Sequence, residues 1–168
     1  MSLTLILMRH AKSAWDDPLA DDFDRTLNDR GRKSCKLIAN WLVQHGHLPD
    51  KVIVSSARRT VETWERMAPT MPETATMESS PALYLAGPEI ILNVLKSRKA
   101  PTQMIICHNP GIAEFAERIL TEHPKHPDFR RYPTAATTVM EFDADSWSDV
   151  AWQSARPIDF VVPKDLKD

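Results

Sequence analysis

Eight residues near the start of the chain, Leu3-Thr4-Leu5-Ile6-Leu7-Met8-Arg9-His10, narrow the choice of fold at once. An almost wholly apolar run stops abruptly in an arginine and a histidine. The run is too short for a signal peptide or a membrane span and reads as a buried strand. Open α/β sheets place their chemistry just beyond the carboxyl ends of their strands. The Arg9-His10 pair is therefore the first candidate for a reactive group.

Two further segments repeat the pattern. Residues 51–55 (Lys-Val-Ile-Val-Ser) predict a second buried strand that runs into Ser56-Ala57-Arg58-Arg59, the start of a helix with Val61, Trp64, Met67 and Ala68 on one face and Pro69 at its end. Residues 103–107 predict a third strand, which ends on His108. Asn109 and Pro110 follow as predicted N-cap and first helical residue. Ile112, Phe115, Ala116, Ile119 and Leu120 then recur at helical spacing. Between the first two strands, Asn28 is a predicted N-cap for a helix carrying Cys35, Ile38, Trp41 and Leu42, with Gly46 as its stop.

The remaining stretches carry weaker signals. Ala11 to Asp24, with Asp16, Asp17, Asp21, Asp22 and Asp24, reads as a solvated acidic loop bordering the site mouth, and Arg25 stands against it. Residues 69–82 read as a long connection, residues 83–85 as a short extended piece and residues 87–99 as a helix. Residues 135–142 predict a fourth strand, and residues 146–162 a less regular finish at the sheet edge. His123 and His126, three apart in a proline-broken loop, have the spacing of metal ligands, but no cysteine or carboxylate set frames them and a surface loop is the preferred reading. Neither repeats nor linkers appear, so the expectation is a single domain over residues 1–168: a three-layer α/β fold, its mostly parallel central sheet flanked by helices.

Composition sets limits on partners. A net charge of −2 argues against a chain-wide nucleic-acid binder, so anion binding must come from a local cluster. The two cysteines, Cys35 and Cys107, form no CxxC pair and fit a reducing compartment. No targeting segment or long apolar stretch stands out, which predicts a cytoplasmic protein without membrane association. Four glycines leave no room for a glycine-rich phosphate loop.

In a parallel sheet the three polar strand exits fall along one edge, bringing residues distant in sequence together. They supply two histidines, with Arg9, Arg59 and, if its segment folds over, Arg25. Cations in the first turn of a helix are disfavoured by roughly 0.3–1 kcal/mol each, so Arg58 and Arg59 make sense where an anion binds. An arginine solvated at small cost is the ordinary alternative and fits Arg58 better than Arg59. Arginine forks match phosphate, and a neutral imidazole can attack phosphorus. Residue types and placement together predict phosphoryl transfer through a phosphohistidine.

Met8-Arg9-His10-Ala11-Lys12-Ser13, Ser55-Ser56-Ala57-Arg58-Arg59 and Cys107-His108-Asn109-Pro110-Gly111 together resemble the histidine phosphatase superfamily, also called phosphoglycerate-mutase-like. Within it, the short chain and the His-Asn-Pro-Gly signature resemble the small phosphohistidine phosphatases of the SixA type. The resemblance implies His10 as nucleophile, Arg9, Arg59 and His108 as the phosphate pocket, and Arg25 and Asn109 as substrate-binding. Arg59, four residues before Thr63, matches the family's arginine. Ala11 and Cys107 replace glycines usual in the superfamily.

Many superfamily members protonate an alkoxide leaving group with a carboxylic acid, for which residues 81–91 offer only Glu89. An N-phosphoryl bond has a better leaving group and needs less acid help, favouring phosphohistidine on a protein as substrate. The expected enzyme is a monomeric hydrolase needing no metal or organic cofactor. The competing readings are a general small-molecule phosphomonoesterase and a catalytically silent module binding phosphorylated partners. A mutase fits less well, because the chain has little room for a lid.

Overall fold

A computed structural model describes residues 2–167. Strands β1 (Ser2–Arg9), β2 (Lys51–Ser55), β3 (Thr76–Ser80), β4 (Thr102–Cys107), β5 (Thr137–Asp143) and β6 (Ala155–Val161) form one sheet in the order β3-β2-β4-β1-β5-β6. The pairs β3–β2, β2–β4 and β4–β1 are parallel, and β1–β5 and β5–β6 are antiparallel. Helices α1 (Asp29–Gln44) and α2 (Arg58–Met67) cover one face, and α3 (Pro88–Lys96) and α4 (Gly111–Ile119) cover the other. The expected three-layer α/β arrangement is present.

Strand alternation explains why both faces are covered. Leu3, Leu5 and Leu7 of β1 pack toward α3 and α4, while Ile6 and Met8 pack toward α1 and α2. A strand buried on both sides reads as a continuous apolar run, as β1 and β4 do. Burying one such leucine contributes about 1.5–3 kcal/mol.

The Asn28 side chain caps α1 by accepting from the Gly31 amide at 2.8 Å. Gly46 adopts φ 72 just past the end of α1, where the left-handed region favours glycine. The apolar stripe of α4 is wholly buried.

Three local expectations are corrected. Residues 76–80 are a strand, hidden in the sequence because β3 is an exposed edge paired only with β2, and so lacks apolar alternation. Residues 83–85 are not extended. Pro81–Leu83 forms a 3-10 turn that buries Leu83 and leaves Leu85 exposed at φ 52. Asn109 does not cap α4, which begins at Gly111 after a cis Asn109–Pro110 bond. Its amide is committed to main-chain carbonyls in the 131–132 turn.

Neighbouring β1 and β4 are followed by helices on opposite faces, α1 and α4. At such a switch point the two connections diverge and a crevice opens at the strand ends. That crevice is where His10 and His108 emerge.

Candidate active site

Sheet register brings the sequence-distant residues together. Arg9 pairs with Cys107, and Val54 with Ile106, so His10, Ser55 and His108 leave three neighbouring strands side by side. The His10 amide donates to Cys107 O at 3.2 Å, and the His10 carbonyl accepts from the Ala135 amide at 2.9 Å. The two imidazole rings lie 5.3 Å apart, both buried.

The His10 ring has one committed nitrogen. Nδ1 lies 2.7 Å from Ala11 O, and because a carbonyl only accepts, Nδ1 carries the proton. Nε2 therefore keeps its lone pair and accepts a hydrogen bond from Arg59 Nε at 3.4 Å. Thr63 secures this arrangement, since its hydroxyl accepts from the Ala11 amide at 3.0 Å and donates to Arg59 O. Burial holds the His10 imidazole well below its ordinary pKa, with His108, Arg9 and Arg59 adding to the effect against the Ala11 bond. Burial, reinforced by Arg59, pushes His108 down to about 3. Both rings are neutral at pH 7.

His108 Nε2 lies 2.7 Å from Ser55 Oγ. Its Nδ1, Arg9 Nε and Asn109 Oδ1 are the buried side-chain polar atoms without a hydrogen-bond partner among the described residues. Buried polar atoms are nearly always satisfied. Finding all three at one sheet edge marks that edge as a binding place. Arg9 donates Nη1 to Tyr132 O at 3.1 Å, and Asn109 Nδ2 donates to the same carbonyl at 3.1 Å. Asn109 thus stands behind Arg9, with its amide nitrogen turned to the main chain.

Arg59 is buried at the start of α2, while Arg58 is exposed and pairs with Glu65 at 2.8 Å. Arg25 folds over toward Arg59. It donates to Ser13 Oγ, and its guanidinium carbon lies 3.5 Å from the centre of the Trp15 ring. Buried Glu62 ties α2 to this segment by accepting from the Leu27 amide at 2.9 Å.

One acid of the supposedly solvated loop is part of the site. The Asp22 carboxylate accepts from Arg25 at 3.0 Å, from Arg59 Nη2 at 3.1 Å and from the Tyr84 hydroxyl at 2.5 Å, and its carbonyl accepts from Arg59 Nη1 at 2.6 Å. The Tyr84 bond, with Arg25 and Arg59, holds Asp22 ionised down to about pH 2. Tyr84 sets its ring edge-on to His108 at 5.5 Å and to Phe23 at 5.0 Å. A Cβ on Gly111 would come within 1.8 Å of Ala86 O, so glycine there permits the loop bearing Tyr84 to close on α4. Asp22, Tyr84, Ser55 and Thr63 are the contributors that sequence reasoning missed or used only as a landmark. The signal for Asp22 was its three-residue spacing from Arg25 on one turn.

Other candidates lie elsewhere. Glu89 is exposed and paired to Arg118 at 2.8 Å, which removes it as an acid for this pocket. His123 bonds Glu117 O, and His126 pairs with Asp165. No group of three or more His, Cys, Asp or Glu able to hold a metal occurs among the described residues. No helix among them is long and apolar enough to cross a membrane.

Residues 5–84 match the Histidine phosphatase superfamily (branch 1). An uncharacterised Mycobacterium leprae protein is 29% identical over 94% of this chain and 100% of its own length. Among solved structures, a chain from Nakamurella multipartitia assigned as a phosphohistidine phosphatase, SixA, superposes with a TM-score of 0.81 at 25% identity, over 97% of each chain. Phosphoglycerate mutase from Plasmodium falciparum shares the fold, with a TM-score of 0.63 at 19% identity over 95% of this chain and 91% of that one. Over residues 5–84 the sequence is thus similar to the histidine phosphatase superfamily, and over nearly its whole length the chain is similar in fold to the SixA-assigned structure.

Proposed function

We propose that this chain hydrolyses phosphohistidine on a protein, through a phosphohistidine of its own on His10 and without a metal. The observation that carries the reading is the His10 ring itself: Nδ1 is tied to Ala11 O, which leaves the lone pair on Nε2, where it accepts a long 3.4 Å hydrogen bond from Arg59 Nε. The likeness to the assigned SixA chain supports the same substrate class.

In this reading the phosphoryl group sits over His10 Nε2. Arg59 Nε, Arg9 Nε, Arg25 and His108 Nδ1 surround its equatorial oxygens, where preorganised donors stabilise the charge of an in-line displacement. Ser55 donates its hydroxyl proton to His108 Nε2, which leaves the proton on Nδ1 for the phosphoryl group. Water then attacks phosphorus in line with His10: the new O–P bond forms as the P–Nε2 bond breaks, the electron pair returns to Nε2, and phosphate leaves with the remaining water proton shared with solvent. Guanidinium groups cannot ligate a cation, so the charge a metal would neutralise elsewhere is met here by arginine. A small chain with an open site, acting as a monomer in the cytoplasm, suits a substrate presented on another protein.

The test is turnover of a phosphohistidine protein beside a phosphoserine peptide and a sugar phosphate, in chelator, for the wild type and His10→Ala. Preferential loss of phosphohistidine, with an acid-labile label on the wild type only, is the expected result. Better turnover of the esters would replace the substrate class. Reversible loss in chelator would overturn metal independence, and no turnover or label would leave a module that binds phosphorylated partners.

A further inference from the structure

The acid at the pocket mouth has no part in the scheme above, and its position gives it one. His10 lies at the buried floor, so a group leaving in line with it must depart toward solvent. The most exposed charged group of the cluster on that side is Asp22, whose side chain is 44% exposed while those of its partners Arg25 and Arg59 are 10% and 3% exposed. Tyr84, which bonds it, sets its ring edge-on to Phe23, and Trp15 lies over its partner Arg25. Arg25 and Arg59 offset the Asp22 charge at a distance, but at contact a carboxylate oxygen only accepts, so it disfavours an oxyanion beside it and favours a leaving group that presents an N–H.

Resting on the phosphatase reading, we propose that Asp22 sets leaving-group specificity: its Oδ1 exchanges the long 3.3 Å bond from Arg25 Nε for one from the remote N–H of a protonated phosphoimidazole, and it disfavours phosphate esters of anionic leaving groups. The step balances without a general acid. The His10 Nε2 lone pair forms the new P–N bond as the bond from phosphorus to the substrate imidazole breaks. That electron pair returns to the leaving nitrogen, which has been part of an imidazolium protonated on its far nitrogen. The imidazole departs neutral, with its N–H toward Asp22. Glu89, turned away to Arg118, is not needed. The carboxylate stays charged throughout, because Tyr84, Arg25 and Arg59 hold it so.

Asp22 also orients Arg25 and Arg59, so a fall in activity alone decides nothing. The informative quantity is the ratio of kcat/KM for N-phosphorylimidazole to that for p-nitrophenyl phosphate, whose leaving group is an anion. Loss of a hydrogen bond to a charged group predicts that Asp22→Asn lowers this ratio by about 10- to 100-fold, with partial recovery in Asp22→Glu. An equal fall for both substrates would make Asp22 only a support for the arginines. An equal rise would make it only an internal anion displaced by phosphate. Either outcome overturns the proposal, as does a wild type that cleaves both substrates through His10 without preference. That last result leaves the phosphatase reading intact, whereas a wild type that cleaves neither and takes no label removes both.

Discussion

His10 is held on three sides by main-chain groups, whereas the Asp22 carboxylate is held by three side chains. The floor of the pocket inherits its geometry from the β1–β4 register and cannot move without disturbing the sheet. The mouth is a set of charges on a 3-10 turn and a loop, and its geometry depends on which partners are present. Such a division suits chemistry fixed at the floor and selection made at the mouth.

The sharpest way to break that division is at the nucleophile. His10→Ala removes the proposed nucleophile, and turnover is expected to fall on the order of 10⁴-fold or more, with loss of the acid-labile label. Residual labelling at His108 would move the nucleophile one strand over. Next in size is Arg59→Lys, which keeps the charge but loses Nε, the donor 3.4 Å from His10. Removal of one such donor costs about 10²- to 10³-fold. Arg58→Lys, at an exposed residue paired with Glu65, is the control and should stay within about 2-fold. Equal effects at the two positions would dissolve the distinction between a buried donor and a solvated one.

The floor was far more legible in the sequence than the mouth, for a physical reason. Strand ends announce themselves where an apolar run meets a polar residue, so Arg9, His10, Arg59 and His108 were all visible. Asp22 was one of five acids in a loop without periodicity; its three-residue spacing from Arg25 was a faint signal, and its bonds to Arg25 and Arg59 are what distinguish it. Tyr84 was misplaced with its segment, because a proline-led 3-10 turn and an extended piece look alike over three residues. The edge strand β3 was lost because a solvated strand with one neighbour has no buried face to pattern. Asn109 carried the right family signature but the wrong local role, its amide serving the 131–132 turn rather than a helix end.

Acid sensitivity provides a third comparison, smaller and read in stability. His10 and His108 are held neutral in the folded chain, His10 well below 6.5 and His108 at about 3. Below about pH 6.5 the unfolded chain takes up protons that these folded rings refuse. Stability is therefore fully present above 6.5 and is lost as pH falls, by up to about 1.4 kcal/mol per pH unit for each ring. Asp22 adds its own loss only lower, as pH falls from its unfolded value of 3.8 through about 2. Urea unfolding between pH 7 and 5 isolates the floor from the mouth, and His108→Gln should reduce the slope. A slope unchanged in that variant would mean that His108 does not stay neutral in the folded chain.

The smallest effect is expected at Trp15, which is 77% exposed and touches the site only through the face it offers to Arg25. A cation–π contact at an exposed position is worth about 0.5–1 kcal/mol, so Trp15→Ala should raise KM by about 2- to 5-fold. Arg25 keeps its bonds to Ser13 and Asp22, so its charge stays near the pocket and kcat should hold. Trp15→Phe, which restores an aromatic face, should recover part of the loss. Steady-state kinetics on one phosphohistidine substrate separates the outcomes. A loss confined to KM places Trp15 with binding at the mouth, whereas an equal loss in kcat would place it in the chemical step. In that case Arg25 would depend on Trp15 for its position over the phosphoryl group, and floor and mouth would act as one unit.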